Sequence, residues 1–325
     1  MDSPRRPADD EIAAVFAAMR SEAASREWGS VEELEAHMES VMARLNARPQ
    51  ADLGGLSPND MVQLLHGDWS GPGPLRLVRN LPLDEIADAP WFTVARTLMQ
   101  VVRVGGPIKA TPKGNLPRAV VRLFLENILS EEAKERFGER GLGAVNEQDL
   151  HAIHIPRILL DMAGLVRQRK GLFVLTKAGR GLLPDASAGE LFAVLFEACF
   201  RKLDLAYLDR APEAPEFQHL IGFAMVRLRE LARDWIPADR IDAEGLHPDL
   251  RGAIPQTMPE WDPITTLVER RLLYPLEQFN LVERREAPKP PAEPGDPWRH
   301  IREEVRKTPL YDRFLVDGRL RVGRE

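Results

Sequence analysis

Cysteine is almost missing from this chain: Cys199 is the only one in 325 residues. A single thiol excludes an internal disulfide and any thiolate-rich metal site, and it fits a reducing compartment. Long apolar runs are missing too. No stretch reaches the length of a membrane-crossing helix, and the N-terminus has no apolar signal-peptide core, so the chain reads as cytoplasmic, with no membrane contact. Nor is there a surplus of positive charge, since 44 Lys and Arg stand against 50 Asp and Glu, a formal net charge of -6. That balance argues against wholesale coating by a polyanion and leaves room for a local basic face. The GDWSGPGP run at residues 67–74 lacks the Lys-Ser/Thr ending and spacing of a P-loop and reads as a turn. Neither a dinucleotide fingerprint nor a kinase signature occurs, so no cofactor is expected.

What is present is a chain that is 44% hydrophobic, long enough to divide into two or three domains. Its most legible stretch is GLVRQRKGLFVLTKAGRGLL, residues 164–183. An apolar helical pattern ends at Gly164, Arg167, Arg169 and Lys170 follow, and Gly171 permits a positive-φ turn between two short extended runs. After residues 173–175, the Thr176 hydroxyl can cap a new helix, Gly179 leaves room for close packing, and Leu182 and Leu183 are apolar anchors. The local order is helix, hairpin, short helix.

Around this stretch the pattern is mainly helical. Ile12, Val15, Phe16 and Met19 recur at helix spacing, as do Leu34, Met38, Val41, Met42 and Leu45 after a Ser30 cap with Glu33 three residues on. Residues 1–60 hold twelve acids and six bases, which suits packing on the body of the protein or a protein partner better than nucleic acid. Ser57-Pro58 starts another helix. Trp91, Val94, Ala95, Leu98, Val101 and Val102 form a buried stripe. Residues 108–114 align with 173–179, an extended run reaching Thr with Gly three positions later, and predict a degenerate second wing. Residues 130–140 read as a charged helix, and Asn146 with Asp149 as a cap before a helix carrying Ile153, Ile158, Leu159 and Met162. Ser187 with Glu190 reads as a capping box for the apolar helix of Leu191, Leu195, Phe196, Cys199 and Leu203. One helix is expected over 215–235. Residues 281–285 and 305–308 predict two further strands flanking a Pro-rich tip at 286–297.

The expected fold class is therefore mainly α with small β-hairpins, one or more winged-helix-like modules in a helical multidomain protein. Its predicted segments are an acidic helical 1–55, a helical 56–145 with a degenerate wing, a winged-helix-like module with scaffold helices at 146–236, a connection at 237–262, and a degenerate module at 263–325. Residues 164–183, with their LTKAGRGLL ending, resemble the wing and following element of bacterial winged-helix proteins; the likeness is weaker at 108–117 and 281–315. The resemblance implies a module that contacts DNA through a helix and a wing, or contacts another protein. It places Arg157 on the recognition helix and Arg167, Arg169 and Lys170 on the wing.

Charge gives a separate argument. Residues 157–183 contain Arg157, Arg167, Arg169, Lys170, Lys177 and Arg180 against Asp161 alone, and residues 103–122 contain Arg103, Lys109, Lys113, Arg118 and Arg122 with no acid. The candidate nucleic-acid contacts are Arg157, Arg167, Arg169, Lys170, Lys177, Arg180, Lys109 and Lys113. Asp149, His151 and His154 offer metal-ligand types, and Asp242, Glu244, His247 and Asp249 acid–base types, but helix face and polar loop explain them as well. Cys199 belongs to an apolar stripe, as a core residue does. The expected function is noncatalytic association with DNA or another nucleic acid, in regulation, with a protein-interaction adaptor as the alternative. No metal site, cofactor site or catalytic residue is predicted.

Overall fold

The computed structural model describes residues 28–127, 145–209, 214–248, 263–287 and 303–320, with 17, 20, 21, 24 and 250. Two compact units emerge, Met1–Val62 and Gln63–Glu325. Both are mainly helical, and the second also holds small antiparallel sheets. The helical pattern over Ile12–Met19, the charged helix expected at 130–140 and the Pro-rich tip lie outside the described residues, apart from Glu286 and Ala287.

In the first unit, helix α1 (Val31–Asn46) begins where the sequence predicts. Ser30 Oγ accepts the Glu33 N–H at 3.2 Å, and the Glu33 carboxylate accepts the Gly29 N–H at 3.0 Å. Helix α2 (Pro58–His66) starts the same way, Ser57 and Asp60 each accepting the other's backbone N–H. Such caps satisfy donors that a first helical turn leaves without partners.

The second unit opens with β1 (Arg76–Leu77) and the short α3 (Leu83–Ile86), then runs through α4 (Pro90–Gly105), β2 (Ile108–Lys109) and α5 (Arg118–Asn127). A 3-10 turn at Glu147–Asp149 leads into α6 (His151–Met162), followed by β3 (Val166–Arg169), β4 (Leu172–Leu175) and α7 (Lys177–Leu182). The strands form one sheet in the order β2-β4-β3. Lys170 and Gly171 make the β3–β4 turn with φ of 51° and 72°, the backbone pattern of a two-residue hairpin loop. Thr176 Oγ1 accepts the Gly179 N–H at 3.0 Å and donates to the Gly164 carbonyl at 2.8 Å, tying the start of α7 to the end of α6.

One expectation is corrected. Residues 108–114 do not build a hairpin of their own. Gly105-Gly106-Pro107 on one side and Pro112 to Gly114 on the other leave only Ile108 and Lys109 extended, and these pair with β4 as Ile108 opposite Phe173 and Lys109 opposite Leu172. The two aligned segments are neighbouring strands of one sheet. The capping box at Ser187 is corrected too: Ser187 lies in a 3-10 turn and makes no side-chain cap, and Glu190 instead takes a 2.8 Å hydrogen bond from Arg79.

Helix α8 (Ala188–Glu197) runs on as a π-helical segment, Ala198–Lys202, that carries the buried Cys199. Burial raises the Cys199 thiol far above its usual range, as for a core residue. Phe192 and Phe196 of α8 meet Trp91, Phe92, Phe279 and Phe314 directly or through one another in edge-on or tilted contacts, with ring centroids 4.7–5.7 Å apart. Short helices α9 (Ala206–Asp209) and α10 (Pro215–His219) follow, then α11 (Ile221–Leu231), so the single helix expected over 215–235 is two, separated at Leu220.

The remaining chain repeats the earlier order. β5 (Ile236–Pro237), α12 (Pro263–Leu267), which continues as a π-helical segment into α13 (Tyr274–Gln278), β6 (Val282–Glu286), β7 (Glu303–Lys307) and α14 (Pro309–Phe314) give a second sheet, ordered β5-β7-β6. The linking hydrogen bonds repeat as well. Leu165 N–H donates to the Leu160 carbonyl and Leu281 N–H to Leu276; Thr176 N–H donates to Leu165 and Thr308 N–H to Leu281. Thr308 Oγ1 bonds the Asn280 carbonyl at 2.8 Å as Thr176 bonds Gly164, and Gly164 and Asn280 both have positive φ. Strand β8 (Leu315–Val316) closes on β1. Strand pairs therefore join residues 56–145 to 146–236, 146–236 to 263–325, and 56–145 to 263–325.

Two glycines of α7 separate packing from propensity. A Cβ on Gly179 would stand 2.3 Å from the Leu165 carbonyl oxygen and 2.8 Å from Leu175 Cδ1, whereas one on Gly181 meets nothing within 4 Å. Gly179→Ala is expected to destabilise the protein by about 1–3 kcal/mol, and Gly181→Ala to be neutral or to stabilise it by about 0.5–1 kcal/mol. Urea denaturation midpoints of the two variants check this.

Candidate functional site

The β2–β4 pairing brings together two segments without acids. Residues 103–122 and 166–180 each hold five cations and no Asp or Glu. All ten side chains, Arg103, Lys109, Lys113, Arg118 and Arg122 with Arg167, Arg169, Lys170, Lys177 and Arg180, belong to exposed residues. Side chains alternate across a sheet, so the row containing buried Phe173 faces the core. The flanking rows, Arg169–Leu172–Lys109 and Arg167–Val174, face outward. Lys170 stands at the hairpin tip.

The other predicted residues are more dispersed. Lys113 sits in the turn after β2, where a Cβ on neighbouring Gly114 would lie 3.3 Å from Gln168 Oε1 of β3. Lys177 opens α7. Arg180 Nη1 donates to the Leu175 carbonyl at 2.8 Å, which anchors its guanidinium head while the residue stays exposed. Arg103 lies in the last turn of α4, while Arg118, which donates to Asn146 Oδ1 at 3.0 Å, and Arg122 lie on α5; all three enter only through charge counting in the sequence. Among the described residues, Lys109, Lys113, Arg167, Arg169, Lys170 and Lys177 make no ion pair with an acid.

Arg157 is placed differently. Its Nε donates to Glu147 Oε1 at 2.8 Å and its guanidinium lies 5.9 Å from the Phe173 ring centre, so it is an internal partner of a buried acid instead of an outward-reaching group. Helix α6 around it buries Ile153, His154, Ile155, Pro156, Leu159 and Leu160. Its exposed residues are His151, Asp161 and Met162, which form no cationic row.

Sheet β5-β7-β6 is the natural contrast. Its arginines are spent within the fold: Arg284 pairs with Glu303 and Glu277, Arg285 with Glu304, and Arg306 with Glu283. Arg285 and Arg306 also stack on Trp235, 4.1 and 4.8 Å from its ring centre. Among the described residues, two hairpins of like topology thus differ in electrostatics, one with unpaired cations and one neutralised.

Beneath α6 is a chain of polar contacts that sequence spacing does not reveal. Glu147 is fully buried, and its Oε1 lies 2.7 Å from His154 Nδ1. His154 Nε2 lies 2.7 Å from the Tyr207 hydroxyl of α9. Glu147 also accepts the Leu116 N–H. Burial pushes the Glu147 carboxyl up, but the His154 hydrogen bond, the Arg157 guanidinium and the Leu116 N–H outweigh it and hold the group below the usual carboxylate range. Both His154 nitrogens are thereby occupied, and Asp149 instead accepts from Asn146. In the other acid–base cluster, Asp242 accepts from Thr265, Glu244 pairs with Arg240 and His247 packs on Phe223, while Asp249 lies outside the described residues.

A cleft of about 460 Å³ lies farther along, lined among others by Trp69, Phe200, Arg201, Lys202, Ala206 and His219. Arg271 also borders it but is only 2% exposed, held by two hydrogen bonds to Asp209 at 2.6 and 3.0 Å.

Comparison with known proteins gives one likeness. A family model described as the Y4jL N-terminal domain matches residues 87–189, the span of the β2-β4-β3 sheet and its helices. No curated protein and no solved structure matches the chain significantly.

The Glu147 contacts have a pH signature. A carboxyl whose folded pKa is depressed stabilises the fold fully above its unfolded value and loses that contribution as pH falls through the folded value. Glu147→Gln, which strands Arg157 and His154, is expected to cost about 3 kcal/mol at neutral pH. The deficit relative to wild type should shrink in acid, as urea unfolding at neutral and acidic pH will read out.

Proposed function

We propose that residues 90–182 form a winged-helix module that holds nucleic acid by its phosphate backbone, without reading base sequence through α6. The reading rests on one observation: strand pairing sets two acid-free segments side by side, and between them they bear ten exposed cations. The order helix, strand, two helices, then a β-hairpin, with the first strand beside the last, is compatible with such a module. Phosphate neutralisation releases counterions and needs clustered, unpaired cations, which the outward rows of this sheet supply. Base readout needs side chains that reach into a groove, and α6 offers none suited to it, because Arg157 is committed to Glu147. The neutralised β5-β7-β6 half serves as scaffold in this reading. The protein is then a noncatalytic, cytoplasmic nucleic-acid-associated factor, with DNA-related regulation as its setting.

A second reading has its own support. Leu172 and Val174 lie half-buried between the cations on the outward face, an apolar strip that suits an acidic protein surface. Fluorescence anisotropy with mixed-sequence duplex DNA, single-stranded DNA and RNA over a salt series distinguishes the two. Binding should weaken steeply with salt and vary little with base sequence. The triple variant Arg167→Gln, Arg169→Gln, Lys170→Gln should flatten the log–log salt slope by about 2–3, each phosphate contact adding about 0.7–0.9. No binding to any of the three polymers at low salt by folded protein, or an unchanged slope, defeats the nucleic-acid reading. Capture of an acidic polypeptide that survives nuclease treatment and is lost in the triple variant establishes the second.

A further inference from the structure

Three tyrosines occur in the chain, and they sit in three different environments. Tyr311 is fully buried, its hydroxyl donating to the Met225 carbonyl at 2.6 Å. Tyr274 is half-buried with its ring against Trp91. Tyr207 is 47% exposed, yet its hydroxyl is 2.7 Å from the Nε2 of His154, a residue only 4% exposed. A phenol at the surface has water for a partner; this one faces a buried imidazole.

The proton positions follow from the partners. Glu147 is an acceptor only, because its carboxyl is held ionised by His154, Arg157 and the Leu116 N–H. With Nδ1 donating to Glu147, Nε2 is the ring nitrogen left to accept the Tyr207 O–H. Arg157 and Leu116 fix both carboxylate oxygens, so the imidazole cannot turn without breaking a buried contact. Surface hydroxyl, base and buried orienting carboxylate stand in the order that activates a nucleophile. The titratable and charged groups around His154 in this arrangement are Glu147 from the 3-10 turn, Tyr207 from α9, and Arg157 of its own helix through Glu147.

We propose that Tyr207 is a base-activated nucleophile, a modification site that takes an acyl or phosphoryl group from a small anionic donor. In the step, the phenol oxygen bonds to the electrophilic carbon or phosphorus while the bond from that centre to its leaving oxygen breaks. The phenol proton passes to His154 Nε2, Glu147 holds the resulting imidazolium, and the proton then goes to the leaving oxygen or to water. No oxidant or reductant is needed. Anionic donors are favoured because the cleft that Ala206, the residue before Tyr207, lines carries Arg201, Lys202 and His219 against Asp204. The proposal does not depend on the basic β2-β4-β3 sheet binding nucleic acid.

Acetyl phosphate tests this on the full chain, because it carries both kinds of electrophilic centre and the adduct mass tells acetyl from phosphoryl transfer. The expected result is an adduct on Tyr207 formed at least about tenfold faster than any on Tyr274. Its rate should level off well below about pH 10, where a free phenol ionises. His154→Gln should slow Tyr207 labelling about a hundredfold, the lower range of general-base assistance, with circular dichroism unchanged. An absent Tyr207 adduct, a rate that climbs tenfold per pH unit up to about pH 10, or undiminished labelling in folded His154→Gln overturns the proposal. Should that variant fail to fold, the wild-type pH profile decides alone.

Discussion

The aromatic packing along α8 is the constraint on which the larger unit depends. Phe192 and Phe196 touch Phe279 and Phe314 of the C-terminal half, and Phe192 touches Phe92 of α4. Each fully buried aromatic side chain contributes on the order of 2–3 kcal/mol from area alone, and edge-to-face geometry adds about 0.5–1.5 kcal/mol per pair. In each three-stranded sheet one strand is only two residues long, so each is little more than a two-stranded hairpin, which is marginal by itself. Both depend on helices that converge on α8, so its apolar run is what allows such short strands to persist.

On this shared support the chain builds the same arrangement twice and then diverges. The positive-φ residue after a helix, the leucine returning to that helix, and the threonine bonded across the hairpin base recur at Gly164, Leu165 and Thr176 and at Asn280, Leu281 and Thr308. These contacts lie inside and fix backbone geometry. The strands' outer residues carry no such duty and differ, with cations unpaired among the described residues in β3 and Arg–Glu rungs in β6 and β7.

Where a feature depends on neighbours in sequence, it was legible. Thr176 as a cap, the close packing at Gly179, the Ser30 and Ser57 starts and the core position of Cys199 all follow from spacing within a few residues. Strands at 282–286 and 303–307 were legible for the same reason. Features that depend on distant partners were not. Residues 108–114 and 173–179 look alike because both are short extended runs ended by Thr and Gly, and nothing local says that the two pair with each other. Arg157 looks like a free cation until Glu147 is found beside it. Tyr207 lies 53 positions from His154, so no spacing rule joins them. The basic patch is an intermediate case: its two charge runs were visible, and their union required the sheet.

The turn at Lys170 has a consequence of another kind. A lysine there holds φ at 51°, a region that Gly and Asn enter far more readily. Such a backbone typically costs about 1–2 kcal/mol, and neither an ion pair nor a hydrogen bond to the side chain offsets it among the described residues. If thermodynamic stability alone governed this position, drift would replace the lysine with asparagine or glycine and the fold would gain. What the lysine adds is surface potential at the point of the hairpin farthest from the core. The tip thus exchanges backbone ease for charge, and a comparison of close homologues at this single position would separate pressure on folding from pressure on charge.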